Sequence, residues 1–185
     1  MVRIGARAKR KTVAIITDMS APLGCAVGNS VEMIEAIRVL EGKGDERLTE
    51  LCITIAANML YAANVGTLED CKAIVEETLY DGSALNKLAD LVERLGGDRN
   101  YIYDVSRFEE SNVTAILVAE KGGYISKIDA YEVGKAASVL GAGREFVGQE
   151  IDHTAGIILN KQIGDRIEEG EALATLQAKT LERAQ

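Results

Sequence analysis

Apolar side chains recur every three or four residues through the first half of the chain, then break into short runs divided by glycines. The first texture predicts helices and the second predicts strands. Residues 1–11 read as the end of a helix. Thr12 to Thr17 is a near-continuous apolar run without polar alternation, the pattern of a strand in a parallel sheet covered on both faces. Asn29 to Glu41 places Ile34, Ile37 and Leu40 on one stripe and stops at Gly42 and Gly44, which predicts a helix. Asp45 caps a second, with Leu48, Leu51, Cys52, Ile55 and Met59 at helical spacing. Thr67 and Asp70 have the spacing of a capping box ahead of a third, and Ser83 opens a fourth that ends at Gly96-Gly97.

Beyond about residue 110, Val113 to Ala119 is strand-like, Gly122-Gly123 is a turn and Tyr124 to Ile128 alternates. Tyr131 to Leu140 predicts a short helix. Ile157 to Leu159, Asp165 to Ile167 and Ala172 to Leu176 predict short strands between glycine turns. The expected fold class is α/β plus α+β. Residues 1–110 form a helix-rich piece of an α/β domain, and residues 111–185 form a small α+β domain. The first part holds one confident strand, and one strand cannot satisfy its own ladder. Either its neighbours come from elsewhere or the piece packs unusually.

Candidate chemistry concentrates in residues 17–36, Thr-Asp-Met-Ser-Ala-Pro-Leu-Gly-Cys-Ala-Val-Gly-Asn-Ser-Val-Glu-Met-Ile-Glu-Ala. Pro22, Gly24 and Gly28 impose an irregular backbone between strand and helix, turning carbonyl oxygens away from regular ladders. Glu32 and Glu35 are three apart on the following helix and share a face. Carbonyls beside a carboxylate make an oxygen-rich pocket suited to a hard cation. A divalent site of Asp18, Glu32 and Glu35 is the weaker reading, since no histidine accompanies them.

The same run resembles the T-D-M-x-x-P-L-G-x-x-V-G-N-x-x-E-x-x-E-A stretch of the pyrimidine nucleoside phosphorylases and thymidine phosphorylases. The resemblance continues through Leu48 to Cys52, Gly123 to Ile125, Leu140 to Arg144, Asp152 to Gly156 and Gly164 to Glu171. It covers most of the chain, and what it covers looks like the C-terminal part of such an enzyme. It implies a partial phosphorylase α/β domain followed by a C-terminal domain of hammerhead-like shape. It also implies a monovalent cation, usually potassium, held by the carbonyls of Leu23 and Ala26 and the side chain of Glu35, with two further ligands from an upstream glycine-rich segment. The implied reaction is phosphorolysis, in which phosphate attacks the anomeric carbon of a pyrimidine nucleoside to give the free base and a pentose 1-phosphate. In the family the phosphate cluster, the base-binding arginine, serine and lysine, and the dimer-forming α domain lie upstream. No catalytic residue is therefore expected here, and the base pocket that separates thymidine from uridine lies elsewhere. Three readings stay open: a fragment of an enzyme, one half of a split enzyme whose partner supplies the upstream residues, or a stand-alone structural or binding protein on the phosphorylase fold.

Charge narrows the partners. The chain carries a formal net charge of -8, and an acidic surface opposes nucleic acid and anionic membranes. The basic residues Arg3, Arg7, Lys9, Arg10 and Lys11 lead straight into a strand pattern, which does not fit a mitochondrial leader. No run reaches the roughly 18 apolar residues of a membrane span. The three cysteines, Cys25, Cys52 and Cys71, suit reduced thiols and a cytoplasmic protein, with Cys52 and Cys71 on apolar helix faces as core residues. Gly42-Lys43-Gly44 lacks the spacing of a phosphate loop, and Gly141-Ala142-Gly143 lacks the third glycine of a dinucleotide fingerprint. Gly164 to Leu176 resembles the turn of biotinyl and lipoyl carriers, but Lys179 lacks their Met-Lys-Met setting. The sole histidine, His153, reads as a loop residue.

Overall fold

Local capping sets several helix boundaries. The computed structural model describes residues 1–144 and 146–184. In chain order it contains α1 (Val2–Arg7), β1 (Ala26–Gly28), α2 (Asn29–Leu40), α3 (Glu46–Ala62), α4 (Leu68–Tyr80), α5 (Ser83–Arg94) and α6 (Asn100–Tyr103). There follow β2 (Val113–Val118), β3 (Gly123–Tyr124), α7 (Ala130–Leu140), β4 (Gly156–Leu159), β5 (Arg166–Ile167) and β6 (Ala172–Ala178). The Asp45 carboxylate accepts from the Leu48 N–H at 3.0 Å to start α3. Asp129 accepts from the Tyr131 and Glu132 N–H groups to start α7, and Gly141, at φ 119°, ends it in the left-handed region.

Contacts gather the chain into two units. One comprises Met1–Asp18 with Ile37–Tyr103. In it, α3 packs on α4, α4 on α5 and α5 on α6, and Ala57, Cys71, Ala89 and Ile102 are buried. The strand expected at Thr12–Thr17 is absent: the segment joins no ladder, and Ile16 is 99% exposed. Apolar character alone does not make a strand when no neighbour offers hydrogen bonds. Cys71 is buried as expected, whereas Cys52 is exposed. It shares an uncovered stripe of α3 with Ile55 and Met59, the latter 67% exposed.

The other unit comprises Met19–Ala36 and the chain from Asp104 onward. Its sheet has the order β1-β4-β6-β2, antiparallel throughout, and β3 pairs with β5 in a separate ribbon. This is an α+β arrangement. β1 corrects the sequence reading, which ran the loop directly into the helix at Gly28. Those residues instead form the edge strand, with Ala26 opposite Ile158 and Gly28 opposite Gly156. A Cβ on Gly156 would lie 2.9 Å from the Val27 carbonyl oxygen and 2.8 Å from a Val31 methyl, so the close approach of β1, β4 and α2 depends on glycine there. α7 lies on β1, β4 and β6. Ala137 and Leu140 of α7 meet Ala155, Ile157, Ala174 and Ala178 to form the buried core of the unit.

The capping box expected at Thr67 is formed in full. The Asp70 N–H donates to Thr67 Oγ1 at 3.2 Å and the Thr67 N–H donates to Asp70 Oδ2 at 3.1 Å. Thr67→Ala is expected to cost about 1 kcal/mol, read as a lower urea midpoint at an unchanged denaturant slope. The hydroxyl of Thr67 also donates to Asp70, and this bond, before the backbone one, holds the Asp70 carboxyl below its ordinary value of 3.8. A lowered folded value means the contribution is complete above the unfolded value and disappears as pH falls through the folded one. The gap between the parent and Thr67→Ala should therefore be constant from neutral pH down to the ordinary aspartate value and narrow below it.

Candidate functional site

The loop ahead of β1 is positioned from both ends. Pro22 fixes one backbone angle, and Gly24 turns the chain in the left-handed region at φ 79°. The Leu159 N–H of β4 donates to the Cys25 carbonyl at 2.7 Å and docks the loop on the sheet edge. From the other side α2 reaches back with both glutamates. Glu32 Oε1 accepts from the Gly28 N–H at 2.9 Å. Glu35 Oε1 accepts from the Cys25 N–H at 2.6 Å, and its Oε2 accepts from the Ala26 N–H at 3.3 Å. The shared face expected of these residues is thus used to clamp the loop backbone. Gly24 is required beneath the clamp, because a Cβ there would lie 2.4 Å from Glu35 Oε2.

The three residues expected to bind a cation sit in different ways. Glu35 and Ala26 are in direct contact. The Ala26 carbonyl lies outside the β1–β4 ladder. The bond from Leu159 to Cys25 makes Ala26 and Ile158 a non-hydrogen-bonded pair, so the N–H and carbonyl of Ala26 face away from β4. Its N–H on that side meets Glu35, and its carbonyl is left outside the ladder. Leu23 precedes the Gly24 turn with its side chain 44% exposed. Glu35 retains acceptor capacity, since a carboxylate offers about four lone-pair sites and the two backbone donors take two of them. One carboxylate beside neutral carbonyls supplies a single negative charge. That donor set fits a weakly charged hard cation better than a divalent ion, which draws several anionic or water ligands. Among the described residues no group of three or more His, Cys, Asp or Glu side chains is arranged to hold a metal.

Two residues of the loop's surroundings had no signal in the sequence. Cys25, read there only as a reduced thiol, joins sheet, loop and helix through its backbone. Gln162, far away in the chain, donates from Nε2 to Cys25 Sγ at 3.0 Å. His153 is exposed, and its carbonyl accepts from the Ser30 N–H at 3.1 Å. Lys179 follows the last residue of β6.

The signature described as "Pyrimidine nucleoside phosphorylase C-terminal domain" matches residues 124–185. A "Pyrimidine-nucleoside phosphorylase" of Bacillus subtilis (strain 168) is 43% identical over 179 residues, which is 96% of this chain and 41% of that protein. The protein of the same name from Staphylococcus aureus (strain USA300) is 41% identical over the same coverage. The chain thus spans 41% of the length of the curated relatives it matches.

Proposed function

We propose, from its match to the C-terminal portion of the pyrimidine nucleoside phosphorylase family, that the chain serves phosphorolysis of pyrimidine nucleosides as that portion of an enzyme. The observation that carries the reading is 43% identity to a pyrimidine-nucleoside phosphorylase across 96% of the chain. In this role residues 1–110 belong to the phosphorylase α/β domain, and residues 111–185 are the C-terminal α+β domain of hammerhead-like shape, with β1 crossing over to complete its sheet. The exposed apolar run at residues 13–16 supports the assignment, because a run that joins no ladder gains cover only from strands that these residues do not provide.

The chemistry asks for an anion cradle around phosphate, and for donors that stabilise negative charge on the departing base. Both are assigned to residues outside these 185, in a homodimeric enzyme or on a separate polypeptide that completes it. What these residues supply is the cation loop. Leu23 and Ala26, by their carbonyls, and Glu35, by its carboxylate, would hold a potassium ion, which would neutralise charge and stiffen the loop. Glu35 meanwhile fixes the Cys25 and Ala26 backbone. A cytoplasmic setting, where potassium is plentiful, completes the proposal. No described helix is long and apolar enough to cross a membrane.

The deciding assay is phosphate-dependent release of uracil from uridine and of thymine from thymidine by the purified chain. No release above a blank is expected. Release by these residues alone would place a phosphate site among them and overturn the division of labour. A compact, monodisperse monomer that neither releases base nor gains activity on adding the missing phosphorylase portion would instead favour a stand-alone binding or structural protein.

A further inference from the structure

We propose that Gln162 is a positioning residue for the cation loop, acting through the thiol of Cys25; the inference rests on the cation reading above for its functional meaning and on geometry for its substance. Cys25 is fixed at three atoms. Its N–H donates to Glu35 Oε1 at 2.6 Å, its carbonyl accepts from the Leu159 N–H at 2.7 Å, and its Sγ accepts from Gln162 Nε2 at 3.0 Å. Two of the three come from the end of β4 and the segment that follows it.

Gln162 is itself held firmly enough to act as a reference point. Its N–H donates to Asp165 Oδ2 at 2.7 Å, and the Asp165 N–H donates back to the Gln162 carbonyl at 3.1 Å. The Ile125 N–H donates to the Asp165 carbonyl and the Gly164 N–H to the Ile125 carbonyl, tying the turn to the β3–β5 ribbon. Lys161, the preceding residue, is paired with Glu171, which lies just ahead of β6. The turn is therefore braced on the β3–β5 ribbon, and the amide of Gln162 carries that position to Cys25. Gly24 and Ala26 flank Cys25, and Leu23 lies one residue further. Moving the thiol moves both proposed carbonyl ligands relative to Glu35.

A thiol is a weak acceptor, so a hydroxyl should serve at least as well and a methyl not at all. Gln162→Ala and Cys25→Ala should then produce the same displacement of the Cys25 and Ala26 amide resonances, while Cys25→Ser stays close to the parent. Combining the two alanine substitutions should add little to either, as expected for partners in one contact. The potassium-dependent shift of those resonances, measured against sodium at equal ionic strength, should weaken by roughly two- to tenfold in apparent affinity, the effect of one hydrogen bond. The thermal midpoint should move little. Cys25 and Ala26 resonances unmoved in Gln162→Ala, or displacements that add in the double variant, would overturn the positioning role. If the parent chain shows no potassium-specific shift, the cation reading fails by itself, and the amide displacements still decide whether Gln162 sets the loop.

Discussion

Leu140→Ala should cost the C-terminal unit about 2–5 kcal/mol, in the upper half of that range. The reason lies in how little else fills the core. Of the six buried residues that meet there, four are alanines and only Leu140 and Ile157 are large. Leu140 is 4% exposed and ends α7, the helix that covers β1, β4 and β6. Alanines on a hydrogen-bonded sheet cannot swing into a vacated space, so the cavity would persist rather than collapse. The measurement is urea unfolding followed at amides of β4 and β6, which report this unit separately from the helical one. Leu140→Met, which conserves volume, should lose less than about 1.5 kcal/mol. A loss below about 1 kcal/mol for the alanine variant would mean that the neighbours do close in and that this core is not close-packed.

The second large effect is expected at Glu35. Glu35→Ala removes the acceptor of two backbone N–H groups at once, those of Cys25 and Ala26. Leaving such groups without a partner costs about 1–3 kcal/mol where water cannot replace it. Ala26 is buried and Cys25 is half-buried, so water relieves the second more readily. Glu35→Gln separates structure from charge. It keeps one oxygen for one N–H but turns an amide donor toward the other and removes the negative charge. Both variants should abolish any stabilisation by potassium over sodium, which for a bound ligand rises as the logarithm of its concentration over Kd. The glutamine variant should keep more of the intrinsic stability. A potassium-dependent rise in thermal midpoint that survives Glu35→Ala would exclude this carboxylate as the ion's ligand.

Features set by neighbours in sequence were legible from it. Asp45, Thr67 and Asp70 announce helix starts because caps act over three or four residues, and each bond forms as expected. The α+β character of the C-terminal part was legible for the same reason, through short runs between glycine turns. The clamp by Glu32 and Glu35 was foreshadowed by their shared helix face, although its first partners are backbone N–H groups. Features set by distant partners were not legible. β1 is three residues long, and its pairing with β4 depends on residues about 130 positions away. The contact of Gln162 with Cys25 spans 137 positions and has no spacing to betray it. Thr12–Thr17 and Cys52 show the converse limit. An apolar pattern states what a segment would bury, and burial happens only where something covers it.

That uncovered segment has a consequence for handling the molecule. Residues 13–16, Val-Ala-Ile-Ile, contain no charge, proline or glycine, and Ile16 stands fully in solvent. Their backbone groups join no ladder in the fold, so the neatest partner at high concentration is the same stretch of another copy. The overall negative charge slows such encounters without removing the template. Shelf life in concentrated solution would then be governed by these few residues, and salt, by screening the repulsion, would shorten it.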